Sequence, residues 1–215
     1  MKKVVFDNPH RRKHFEFFLG MDQPHFCVTA DIDIQHFLQY IREHKMPFTA
    51  TVVYTIAYIL NEIPEFRYRI RGKEVVEHER IHPSFTVTTE VSDVFSFCMV
   101  PFSFNASEFI DLALTKIREM QHHPSFEDEE GRDDYIFMSA MPWISFRSVM
   151  HPMHYHPVDS VPRIAWGKYR EEGDEVWMPV ALQAHHALVD GIHAGRFFES
   201  LEKKMQQPEL FFLKK

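Results

Sequence analysis

Apolar positions along the chain change period several times, and each change marks an element. Residues 11–19 (RRKHFEFFL) carry helical spacing behind a basic start. Residues 25–31 (HFCVTAD) alternate and are rich in β-formers, which predicts a strand. Asp33 is placed to cap a helix over 34–44, and Thr49 opens a second over 50–63. That second segment is apolar nearly all round, the pattern of a buried helix, and Pro64 follows its end. Residues 68–70 and 74–77 flank Arg71-Gly72-Lys73, a hairpin signal. Strands are expected at 84–90 (SFTVTTE) and 94–100 (VFSFCMV), and an amphipathic helix at 107–122. Further strands follow at 135–144, 164–169 and 176–182 (VWMPVAL), the last two joined by a turn at 170–174. Helical spacing resumes over 194–205. Helices gather early and strands late, without strict βα alternation. The pattern favours an α/β two-layer sandwich, a mixed or antiparallel sheet with helices packed on one face. No repeat, low-complexity tract or Pro/Gly-rich linker divides the chain, so residues 1–215 are expected to form one domain.

One polar cluster interrupts this pattern where core is expected. Gln183-Ala184-His185-His186-Ala187-Leu188-Val189-Asp190-Gly191 separates the apolar strand from the last helix. Histidine titrates near neutrality and can take and return a proton during turnover. Asp190 stands four residues beyond His186, and Gly191 permits a sharp reversal. Two readings are open on spacing alone: a proton-transfer site, and a buried polar turn that caps the next helix.

Composition narrows the classes. A net charge of −7 opposes general binding to nucleic acid or anionic membranes, although the 15 histidines shift that balance at low pH. Cys27 and Cys98 are the only cysteines and lie far apart, so neither a disulfide framework nor a CxxC site is expected. The start, MKKVVFDNPHRRKHF, lacks the apolar core of a secretory signal. No stretch approaches the roughly 20 apolar residues that cross a bilayer. These features predict a soluble, cytoplasmic protein. The 21 Phe and 11 Met supply apolar surface for a thick core, a pocket or a subunit interface. Residues 128–134 form an acidic loop read as solvated surface.

Several stretches, taken in order, resemble the chloramphenicol acetyltransferase family. They are Arg11-Arg12-Lys13-His14-Phe15-Glu16-Phe17, Pro64-Glu65-Phe66-Arg67, His82-Pro83-Ser84-Phe85-Thr86-Val87 and Ser139-Ala140-Met141-Pro142-Trp143-Ile144-Ser145-Phe146. Gly167-Lys168-Tyr169 and Met178-Pro179 then lead into the histidine pair. The likeness runs from about Arg11 to Met205, and the HHxxxDG motif alone is shared with the wider coenzyme A-dependent acyltransferase superfamily. The resemblance implies a chloramphenicol acetyltransferase-like sandwich assembled as a homotrimer, with active sites in clefts between subunits. It implies acetyl transfer from acetyl-coenzyme A to the hydroxyl of a small-molecule acceptor, with no metal.

By that resemblance His186 is the general base, which later returns its proton to the departing thiolate. Ser148 stabilises the oxyanion, and Asp190 pairs with Arg11 to organise the loop. Phe17, Phe18, Phe26, Ser145 and Ala165 belong to the acceptor pocket, whereas Phe95 reads as core packing. Lys168 and Tyr169 lie near the coenzyme. His185 faces away from His186 along the strand and reads as structural, and His193 as a support residue. There are departures from the family pattern. Phe18 stands where relatives commonly have Tyr, Ala165 where many have Thr, and Arg163 where the wall is usually aliphatic. Alternatives are a same-fold acyltransferase with another hydroxylated acceptor and a non-catalytic trimeric binding protein. His151, His154 and His156 offer imidazoles for Zn²⁺, but the prolines around them favour a surface loop.

Overall fold

The computed structural model describes residues 1–126, 131–154 and 156–212. Residues 128–130 of the acidic loop, and Tyr155 within the histidine-rich stretch, lie outside the described residues. The order is β1 (Lys2–Val4), α1 (Pro9–Leu19), β2 (His25–Asp33), α2 (Gln35–Glu43), α3 (Phe48–Glu62), β3 (Tyr68–Arg71), β4 (Glu74–Glu77), β5 (His82–Thr88) and β6 (Phe95–Met99). It continues with α4 (Ala106–His122), β7 (Tyr135–Met141), β8 (Arg163–Gly167), β9 (Arg170–Glu172), β10 (Glu175–His185), α5 (Gly191–Gln206) and α6 (Pro208–Phe212).

The main sheet runs β2-β10-β8-β7-β5-β6, with β9 paired to β10. The β8/β7 and β7/β5 pairs are parallel and the β2/β10, β10/β8 and β5/β6 pairs antiparallel, so the sheet is mixed as expected. A small antiparallel sheet, β1-β4-β3, stands beside it. Helix α3 is buried along most of its length, and its polar groups are matched internally. Asn61 donates to the carbonyls of Ala57 (2.8 Å) and Ile81 (2.9 Å) and accepts from the Ile81 amide (2.9 Å). Burying an amide without such partners is costly. No helix among the described residues is long and apolar enough to cross a membrane.

Pleat alternation divides β10 between two environments. Met178, Val180, Leu182 and Ala184 enter the core under the helices. Pro179, Ala181, Gln183 and His185 point to the other face and are also buried or nearly so. Residues 142–154 lie against that helix-free face, and the His151 amide donates to Gln183 Oε1 at 2.7 Å. The strand therefore continues to His185, beyond the expected end at 182. Close approach of this segment also explains Gly167, where an added Cβ would lie 2.6 Å from the Ile144 carbonyl oxygen.

Other boundaries move for local reasons. The hairpin between β9 and β10 turns at Gly173 (φ +64°) and Asp174, so residues 170–172 are strand. Asp33 accepts from the Gln35 amide at 3.0 Å, but the capping position of α2 is Ile34. Helix α3 begins at Phe48, after Pro47, two residues before the predicted start.

Candidate active site

The β10–α5 turn carries the chemistry. His186 Nδ1 lies 3.1 Å from the Val189 carbonyl oxygen. A carbonyl only accepts, so Nδ1 carries the proton and donates. The lone pair is thereby fixed on Nε2, which is free to take a proton. The ring is stacked on Phe18 (centroids 4.0 Å, 21°) and flanked by Phe26 at 4.7 Å. It meets the edge of His14 at 5.5 Å. Three aromatic neighbours and one backbone bond thus fix the orientation of a largely buried imidazole.

Helix α1 supplies the supporting face. Arg11, His14 and Phe18 recur at i, i+3 and i+7 and share one side of it. Arg11 donates to the Leu188 carbonyl at 3.0 Å and to His14 Nδ1 at 3.1 Å. Guanidinium has no acceptor, so His14 Nδ1 must accept. Burial and the neighbouring Arg11 push the His14 pKa down, which leaves the ring neutral near pH 7. The motif containing His14 was visible in the sequence but gave this residue no role; the i, i+3, i+7 spacing was the available signal.

The expected Arg11–Asp190 salt bridge is not formed. Asp190 caps α5: its carboxylate accepts from the Gly191 amide at 2.7 Å, and the Asp190 amide donates to His193 Nδ1 at 2.9 Å. Its side chain is 53% exposed, so backbone donors and solvent satisfy it without an arginine. The Gly191 amide draws its pKa below the ordinary value. Arg11 still organises the same turn, through Leu188. Asp190 is 3.9 Å from His186 Nδ1, a loose electrostatic neighbour. A helix cap thus takes the place of the Arg11 pairing that the resemblance implied. Asp190→Asn, which keeps a capping oxygen, should leave thermal stability nearly unchanged. Asp190→Ala should cost about 0.5–2 kcal/mol, measured by denaturant unfolding.

His185 turns the opposite way, as strand alternation predicts, and packs edge-on against His25 at 5.0 Å. Its Nδ1 accepts from the Ala187 amide at 3.2 Å. Burial, then the adjacent His25, drives its pKa down to about 3. A histidine depressed in the folded state stabilises fully above its unfolded pKa of about 6.5. That contribution is lost progressively as pH falls from there toward about 3. His14, His25, His82, His151 and His193 are displaced in the same direction, each chiefly by burial. The melting temperature should therefore fall between pH 6.5 and pH 4, less steeply in folded His185→Asn, as read by calorimetry across that range.

The remaining predicted residues stand elsewhere. Phe17 is 63% exposed and meets Phe18 edge-on at 5.1 Å. Ser145 and Ser148 are exposed in the segment after β7, and no hydrogen bond joins them to the His186 cluster among the described residues. Ser145 lines a cavity of about 210 Å³ with Thr29 and Asp31. Cys27 donates from Sγ to the Val149 carbonyl at 3.0 Å, which ties that segment to the helix-free face of β2. Phe26, against His186, projects from the other face. One strand thus separates the base from the serines within a chain. Ala165 is fully buried in β8 beside Ala181 and Ser139.

Three cavities adjoin one another through shared wall residues. Lys168 and Tyr169 line one of about 400 Å³ with Arg42. It shares Phe48, Thr49, Ala140 and Pro142 with a second, of about 920 Å³. The second shares Thr86, Phe95, Ser139 and His151 with a third, of about 700 Å³. Phe95 is 41% exposed and lines both larger cavities, so it is a wall residue and not core.

His14, His186 and Asp190 bring ligand-type atoms within 4.8 Å of one another, the one such group among the described residues; His151, His154 and His156 form none. Arg11 opposes a metal there, because it occupies the lone pair of His14 Nδ1 and adds a positive charge.

Solved structures share this architecture. A chloramphenicol acetyltransferase superposes with a TM-score of 0.83 over 95% of this chain and 100% of that one, at 23% identity. The Azotobacter vinelandii dihydrolipoamide acetyltransferase superposes with a TM-score of 0.69 over 98% of this chain and 95% of that one, at 15% identity. The fold is thus one used by acetyltransferases. The family model for chloramphenicol acetyltransferase matches residues 1–202. A chloramphenicol acetyltransferase from Klebsiella sp. is 30% identical over 196 residues, 90% of this chain and 89% of that protein. The chain belongs to the chloramphenicol acetyltransferase family, and is thereby an acyltransferase.

Proposed function

We propose that the protein transfers the acetyl group of acetyl-coenzyme A to a hydroxyl of a small acceptor, with His186 as general base, in sites shared between the subunits of a cytoplasmic homotrimer. The observation that carries this reading is the hydrogen bond from His186 Nδ1 to Val189 O, which leaves Nε2 as the free base. As the acceptor oxygen attacks the thioester carbonyl, Nε2 takes the hydroxyl proton. Charge develops on the former carbonyl oxygen, and the Ser148 hydroxyl donates to it. The carbon–sulfur bond then breaks, and the imidazolium returns its proton to the thiolate. His186 ends as it began, and no acyl-enzyme forms. Lys168 and Arg42 place two cations at one end of the connected cavities, which suits the phosphates of the coenzyme.

Shared sites are supported by β2, which holds the base on one face and the Ser148 segment on the other. It is also an edge strand. Trp143 (70% exposed), Ile144 and Met150 make the segment around Ser148 apolar at its surface. Such exposed apolar residues mark an association surface. Chloramphenicol is the acceptor named by the family, while Phe18 and Ala165 lack hydroxyls common among relatives. The test is acceptor-dependent thiol release from acetyl-coenzyme A across chloramphenicol and a panel of other alcohols. Release with at least one alcohol is expected; none with any alcohol contradicts the reading and favours a binding protein.

A further inference from the structure

Glu65, of the Pro64-Glu65-Phe66-Arg67 motif, sits in the single-turn helix that joins α3 to β3. Its side chain is 21% exposed, and its Oε2 is buried without a hydrogen-bond partner among the described residues. Its Oε1 lies 3.5 Å from Nε2 of His193, in the first turn of α5. His193 Nδ1 accepts from the Asp190 amide at 2.9 Å. Burial lowers the His193 pKa, which keeps the ring neutral near pH 7. An amide only donates, so the one ring proton sits on Nε2, next to the carboxylate. The Asp190 amide and the Val189 carbonyl belong to one planar peptide unit. Its carbonyl end accepts from His186 Nδ1 at 3.1 Å. Imidazoles thus hold both ends of a single peptide, and a line of contacts runs from Glu65 through His193 and peptide 189–190 to His186. In such a chain each bond polarises the next. A carboxylate beside Nε2–H makes His193 Nδ1 a better acceptor, and the Val189 carbonyl in turn a better acceptor for His186.

We propose that Glu65 is a positioning residue for the general base, acting on His186 through His193 and the 189–190 peptide. His193 then does more than cap α5. It carries the influence of a carboxylate to a base whose nearer carboxylate, Asp190, stands off at 3.9 Å. The proposal rests on the acetyl-transfer reading above and adds Glu65 and His193 to its machinery. A competing route runs through Arg11. Burial lowers the Arg11 pKa, and Glu65 is foremost among the charges that oppose that shift.

The test is a double-mutant cycle on turnover with Glu65→Gln and His193→Asn. Glutamine keeps the shape and removes the charge. Asparagine keeps an acceptor oxygen for the Asp190 amide and loses the contact with Glu65. Each single variant should lose about tenfold in kcat, a part of the roughly 10²–10⁴ that a positioned base supplies, with both KM values unchanged. The double variant should lose no more than either. Nitrogen-15 NMR of the substrate-free protein gives a second readout. It should show His193 protonated on Nε2, and the His186 Nδ1 proton resonance should move upfield in both single variants. Additive losses would assign the effect to the Arg11 route and overturn the relay. So would unchanged kcat in folded Glu65→Gln, a change confined to KM, or a parent His193 protonated on Nδ1. That last result needs no variant to fold. Thiol release keeps the two readings apart. Release by the parent with additive or absent losses sinks the relay alone. No release with any alcohol sinks acetyl transfer, and the substrate-free spectra then decide the relay by themselves.

Discussion

Turnover should fall by about 10²–10⁴ in His186→Ala, with the fold intact. The size follows from the geometry of one ring. The Val189 carbonyl holds the proton on Nδ1, so Nε2 is the atom that takes the acceptor proton and gives it back. Alanine removes both steps together, and water in an open cleft replaces neither at a fixed position. The ring is 27% exposed and its packing partners Phe18 and Phe26 remain, so the loss of stability should be small beside the loss of rate. Steady-state kinetics and circular dichroism on the same preparation check both halves. Near-parental turnover in a folded variant would remove His186 from the mechanism.

Mixed trimers should behave differently from either parent variant. Ser148→Ala alone is expected to lose about 10²–10³ in turnover, the effect of deleting one oxyanion donor. When subunits bearing Ser148→Ala are co-assembled with subunits bearing His186→Ala, about one in three sites of each hybrid cyclic trimer combines an intact base with an intact serine. Two nearly inactive proteins should then regain about that fraction of parental activity. The expectation comes from β2, whose opposite faces carry Phe26 against His186 and the Cys27–Val149 contact that anchors the Ser148 segment. Co-expression with two affinity tags isolates the hybrids. No recovery in verified hybrids would mean that each chain completes its own site or that Ser148 takes no part.

Much of this architecture was legible in the chain. Period-2 and period-3.6 patterns locate the helices and most strands, because those faces are amphipathic or wholly apolar. The end of β10 was hidden because Gln183 and His185 look like solvent-facing polar residues. Gln183 is satisfied by the His151 amide, and His185 packs on His25. The histidine pair was legible as opposed by strand alternation, and the structure places His185 on His25 and His186 on Phe18. The partner of Arg11 was not legible. A carboxylate in the same loop looked like its match, yet Asp190 is satisfied locally as a helix cap and the arginine reaches a backbone carbonyl. Backbone acceptors leave no trace in a sequence. His14 was missed for a related reason: its role depends on α1 lying against the β10–α5 turn, a contact 172 residues apart in the chain between His14 and His186.

The most direct measurement is mass spectrometry of both acceptor and protein after incubation with acetyl-coenzyme A and an accepted alcohol. The account predicts an acceptor O-acetylated once per thiol released, a parent protein that stays unmodified throughout, and almost no product with His186→Ala. An acetylated protein that passes its acetyl group on to the alcohol, or equal product from His186→Ala, would contradict direct transfer driven by the His186 base.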